Sequence, residues 1–140
     1  VISYLPDWQP RLFIEMAKRR YWPFIWGQHD CCLFAADMFQ TTTGVDPVPH
    51  LRGKYATALQ AKRLLKKVGT PTVESVASEA AVRLGVREVD TGQALLGSIG
   101  LVRHNDQDML AVIIDERVAI PGESQLVFLP RRFLRKAWAV

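Results

Sequence analysis

The stretch Trp26-Gly27-Gln28-His29-Asp30-Cys31-Cys32-Leu33-Phe34 decides how the chain is read. Asp30 is a good N-cap residue, because its carboxylate can accept the free N–H groups of a first helical turn. From Cys31 to about Thr41 the apolar residues Leu33, Phe34, Ala35, Ala36, Met38 and Phe39 fall on every side of a helical wheel. A helix apolar all round must be buried on all sides, so this one is expected to be central. Thr43-Gly44 ends it. Cys31 then lies in the first turn, where unpaired N–H groups and the positive end of the helix dipole favour the thiolate. Gly27 allows a tight turn or a close backbone approach just before it.

The elements on either side build a frame around that helix. Asp7-Trp8-Gln9-Pro10 reads as a helix start with Asp7 as N-cap, followed by Leu12, Phe13, Met16 and Ala17 at helical spacing and closed by Pro23. Ala56 to Lys67 reads as an amphipathic helix with Ala58, Ala61, Leu64 and Leu65 inward, and Lys62, Arg63, Lys66 and Lys67 outward. Val73 to Leu84 is a further helix, stopped by Gly85. Beyond Gly85 the pattern changes to strands: Leu95–Arg103, Leu110–Ile114, Arg117–Ile120, and the shorter Leu126–Leu129 and Ala137–Val140. His104-Asn105-Asp106-Gln107 and Asp115-Glu116 serve as turns. Helices first and strands last predict a single α+β domain over 1–140, with a helical part to about residue 85 and an antiparallel sheet from about residue 86 packed on the Cys31 helix.

Bulk properties set the limits. A chain of 140 residues buries enough surface to fold without a disulfide or a metal. The net charge of +4 is too modest to mark a nucleic-acid binder, and no basic stretch is interleaved with aromatics. The longest apolar run, Met109–Ile114, is far too short for a bilayer, and Val1–Asp7 shows no secretory pattern. The two cysteines are adjacent, which disfavours both a disulfide between them and a shared metal ion. No cofactor is implied. Tyr21, Trp22, Phe24 and Trp26 are expected to form core beneath the Cys31 helix, with one or two rings free to act as an interface anchor.

The pattern Phe24-x-Trp26-Gly27-x-x-Asp30-Cys31-x-Leu33-Phe34, followed by Thr43-Gly44-x-Asp46-Pro47 and Arg52-Gly53-x-Tyr55, resembles a family of small phage and prophage tail-associated proteins. These in turn resemble the NlpC-type cell-wall cysteine peptidases. The resemblance implies a papain-like fold with Cys31 in the place of the nucleophile and Asp30 before it. Trp26, Asp30, Arg52 and Tyr55 stand as candidate binding residues: Trp26 could wall a cleft, and Arg52 and Tyr55 are expected to tie the Pro-rich loop to the body by charge-assisted hydrogen bonds. In such enzymes a histidine opens the second main strand. Here that position falls at Met109 or Leu110, and neither can accept a proton. Gly97-Ser98 replaces the family's Gly-Asp pair, and Arg117–Pro121 offers no third polar residue. His104, in the hairpin turn, and His29, beside Asp30, are the remaining candidate bases. His50 reads as a solvated loop residue.

Two functions follow from the resemblance. One is a structural or binding subunit of a phage tail tip, made in the bacterial cytoplasm and carried in the virion. Its partners would be other tail-tip or hub proteins and the peptidoglycan surface, with no nucleic acid and no membrane insertion. The other is an active cysteine endopeptidase or amidase that opens peptidoglycan during genome entry.

Overall fold

Helix α2, Cys31–Thr43, occupies the centre of the structure, a computed structural model that describes residues 1–140. Nine of its thirteen residues are buried, as its all-round apolar pattern requires. Asp30 adopts an extended backbone, and its carboxylate accepts the Leu33 N–H at 2.9 Å. The helix runs to Thr43, two residues beyond the expected Thr41, and Gly44 ends it in the left-handed conformation (φ 79°) as expected. Thr42 and Thr43 are buried in the last turn at little cost, because both hydroxyls donate to the Phe39 carbonyl.

The other helices are arranged around α2. Helix α1, Trp8–Arg19, lays Leu12 and Met16 against Phe34 and Met38. Asp7 does not cap it. Its backbone (φ −108°, ψ 30°) is not extended, and its carboxylate pairs with Arg11 at 2.8 Å instead. Helix α3 runs from Ala58 to Lys67 and starts two residues later than expected, because the Thr57 hydroxyl takes the cap by accepting from Gln60 N–H at 3.1 Å. Ala61 is its buried residue and Ala58 is exposed, contrary to the inward placement read from the periodicity. Helix α4 has the predicted bounds, Val73–Leu84. It opens with a reciprocal Thr72–Ser75 capping box and closes at Gly85.

Six strands form one antiparallel sheet: β1 Arg87–Val89, β2 Ile99–His104, β3 Gln107–Ile114, β4 Arg117–Pro121, β5 Leu126–Pro130 and β6 Leu134–Ala139. Their order is β1-β6-β2-β3-β4-β5. The run from β2 to β5 is a meander. The β2–β3 turn is Asn105-Asp106, both at positive φ (51° and 60°), the two-residue geometry that matches strand twist. His104 is therefore the last residue of β2, paired with Gln107, and not a turn residue. Leu95–Ser98 is not strand. Gly97 (φ 85°) turns the chain there, and the Ser98 N–H donates to the Leu95 carbonyl.

The central strands are buried on both faces, which explains why Leu110-Ala111-Val112-Ile113 is continuously apolar. Leu101 and Leu110 face Cys32 and Ala35 of α2, and Val112 and Ala119 face Leu12, Phe34 and Met38. On the opposite face Val102, Ala111, Ile113, Val118 and Ile120 pack with one another under Phe133 and Leu134, and no residue of the four α-helices belongs to their cluster.

Candidate functional site around Cys31

The entry to α2 is held by one carboxylate. Gly27 has φ 79°, and a Cβ there would lie 1.9 Å from the Tyr55 carbonyl oxygen, so only glycine fits. Asp30 is buried. Its Oδ2 accepts from the Gly27 N–H at 3.0 Å and the Tyr55 hydroxyl at 2.5 Å, while Oδ1 caps the helix. Burial, and next the charge on Asp30, push the Tyr55 phenol far above its ordinary value, so it stays a donor. Asp30 thus joins the 26–31 turn, the first turn of α2 and the Tyr55 loop. Trp26 lies outside this knot, exposed and edge-on to Phe24 at 4.9 Å.

Cys31 is the first residue of α2. Both cysteines are free; Cys31 as a residue is half-buried and Cys32 is buried. A hydrogen bond from Cys32 holds the Cys31 thiol below its ordinary value. The backbone N–H groups of Leu110 and Cys32 act in the same direction, against burial and the charge on Asp30. The same hydrogen bond with Cys31, together with burial, pushes Cys32 well up. Cys31 is therefore the more acidic of the two.

No histidine joins that sulfur. His29 is buried and packs edge-on to Trp22 (5.5 Å) and Phe34 (5.6 Å). Neither of its ring nitrogens has a hydrogen-bond partner. Burial first, and then the Arg19 charge, lower its pKa and keep the ring neutral, although Asp37 and Asp30 act the other way. On β2 the residue opposite Leu110 is Leu101, and His104 lies three residues further along, about 10 Å away. His50 is exposed, on the side of Glu79. Of the two positions where the resemblance places a base, Leu110 belongs to the cluster against which Cys31 packs, and Met109 packs on the opposite face of the sheet. The buried residues that the sheet brings to that cluster are Leu101, Leu110 and Trp138, none of which accepts a proton.

Arg52 ties the Pro-rich loop to the body as its motif suggests. Its guanidinium contacts Asp46 and Asp37, each at 2.6 Å, and Asp37 also pairs with Arg19. Arg19 reaches Glu15 at 2.8 Å, completing a half-buried chain of charges across α1, α2 and the loop. Of the basic groups, Lys62, Arg63, Lys66 and Lys67 remain exposed. Near the C-terminal end, Arg131 donates to the Asp115, Thr91 and Ala94 carbonyls, and Lys136 pairs with Glu74 at 3.0 Å.

The aromatic group is the main correction. Tyr21 (71 % exposed), Trp22 (36 %) and Trp26 (40 %) lie at the surface, and Phe24 is half-buried. Leu12, Met16 and the strand residues already fill the space beneath α2. The 20–26 segment runs along the edge of the molecule, held by Phe24 N–H to the Gly122 and Glu123 carbonyls and by Leu126 N–H to the Arg20 carbonyl. The local signal was the run Lys18-Arg19-Arg20. Lys18 and Arg19 lie over the Trp22 ring and Arg20 lies over Tyr21, an arrangement suited to rings in water.

The chain belongs to a family described as a domain of unknown function (DUF6950), whose model matches residues 3–140. Comparison with curated proteins gives no match. No helix is long and apolar enough to cross a membrane.

Proposed function

We propose that the protein is a non-hydrolytic, NlpC-like subunit of a tailed-phage tail tip, associated with the hub and acting by binding. The observation that carries this reading is that the sheet brings Leu101, Leu110 and Trp138 to the cluster against which Cys31 packs, with Leu110 at the position the resemblance gives to the base. Acyl transfer by a thiol needs a group that moves a proton to the departing amine, held within hydrogen-bond reach. Here that place is filled by a side chain with no polar atom. The papain-like reading draws support from a buried helix that opens on Asp30-Cys31 and packs on an antiparallel sheet. The exposed rings of Tyr21, Trp22 and Trp26, with Lys18 and Arg20 beside them, suit docking onto an acidic neighbour in the particle. Peptidoglycan is the surface such a tip would meet.

One observation favours a second reading. The Cys31 thiol is held below its ordinary value by the hydrogen bond from Cys32, which fits a working cysteine endopeptidase or amidase whose base comes from another chain. A Cys31→Ser phage separates the two. The binding reading expects normal particles and nearly unchanged infectivity. Normal particles that fail to infect would favour the enzyme.

A further inference from the structure

Between α2, α4 and the start of β2 lies an apolar cleft of about 60 Å³. Five alanines narrow it: Ala35 and Ala36 from α2, and Ala77, Ala80 and Ala81 from α4. Leu110 and Trp138 of the sheet also line it. Ser98 and Tyr4 bring hydroxyl groups to this lining. Ser98 is 2 % exposed, and its hydroxyl has no hydrogen-bond partner in the protein. Its backbone is fully used, the N–H on the Leu95 carbonyl and the C=O on the Ile113 N–H, so the hydroxyl alone is left over. Ser98 and Tyr4 also border a second depression, whose wall includes Gln9, Arg87 and Gln93. The cleft therefore has an apolar interior and a polar end at Ser98.

Most of the lining is hydrophobic, which suits a hydrocarbon better than a buried water that needs two to four polar partners. A water-sized group takes about 10–15 Å³ of such space, so the cleft has room for about four to six methylene-sized groups in line. We propose that the cleft binds an alkyl chain of about five to seven carbons, counting the one that bears a hydrogen-bonding oxygen or nitrogen at its end. The chain lies between α2 and α4. The polar end meets Ser98 and faces the depression bordered by Gln9, Arg87 and Gln93. This site is distinct from the Cys31 thiol and does not depend on the function proposed above.

Calorimetric titration of the full chain with butanoate, hexanoate, octanoate and decanoate tests the proposal, with octanamide as the same chain on a neutral head. Affinity should rise about fourfold per added methylene and level off near seven carbons. The ratio of octanoate to octanamide reports whether a charged or a neutral head is preferred at Ser98. Ser98→Ala should weaken the preferred ligand at least fivefold. Ala80→Leu, which fills the cleft, should abolish saturable binding while thermal unfolding remains cooperative. If that variant does not fold, Ala77→Met, at a half-buried position of the wall, serves in its place. No saturable binding of any member, an affinity independent of chain length, or binding unchanged in the filled variant would overturn the proposal.

Discussion

Asp30 is the residue on which the local architecture turns, and its coupling to Tyr55 can be measured. Asp30→Ala leaves the Leu33 N–H without its cap, a loss of about 1 kcal/mol. It also leaves the buried Tyr55 hydroxyl with no acceptor, which costs about 1–3 kcal/mol more. The variant should therefore be destabilised by about 2–4 kcal/mol. Tyr55→Phe alone removes a short hydrogen bond to a carboxylate and should cost about 1.5–3 kcal/mol. In the Asp30→Ala background the same change removes an orphaned hydroxyl, so it should cost nothing or stabilise slightly. The double-mutant cycle then closes with a coupling of about 2 kcal/mol. Urea unfolding at pH 7, with the denaturant slope unchanged across all four proteins, is the assay. A coupling below about 0.5 kcal/mol would show that the two side chains do not depend on each other, and the account of the turn would fail.

Three further outcomes follow from the same geometry. Gly27→Ala places a methyl group against the Tyr55 carbonyl at a positive φ and should cost about 3 kcal/mol or more, read as a lowered urea midpoint. His29 is held neutral in the fold, so the unfolded chain binds more protons once pH drops below its ordinary value of 6.5. Stability should be full above that pH and decline below it; His29→Leu should remove this part of the acid loss, and an unchanged pH dependence would contradict it. Leu110→His puts an imidazole opposite Cys31 and should shift the pH profile of Cys31 alkylation downward, at a cost of about 2 kcal/mol in stability from the buried polar ring. Alkylation with the same profile as the parent would show that position 110 does not face the sulfur.

Much of the fold was legible because the strongest local signals agreed with burial. Helix α2 carries an aspartate cap, apolar residues on all sides and a terminal glycine, and α4 carries its cap and its glycine at the predicted ends. The β2–β5 meander was visible from its turns. Strand β1 was not, because Arg87-Glu88-Val89 is three residues long, largely exposed and lies at the sheet edge, where no alternation develops. Strand β6 begins at Leu134, earlier than expected, because Arg135 and Lys136 mask its pattern. Leu95 and Leu96 suggested strand, but the positive φ of Gly97 bends the chain first.

At the candidate site, Cys31 at a helix mouth was readable from the motif. The Tyr55–Asp30 contact was not, since it joins side chains 25 residues apart. The aromatic segment misled because its rings look like core, whereas burial there is decided by what already fills the space under α2. The orphaned Ser98 hydroxyl had no sequence signal beyond standing where the resembling family has an acid.

The central claim is that the Cys31 sulfur has no proton acceptor in this chain. Incubating the purified protein with defined muropeptides, beside Cys31→Ser, and following product by mass spectrometry tests it most directly. The account predicts no turnover above the serine variant at any pH from 5 to 9. Turnover that disappears with the sulfur would contradict it.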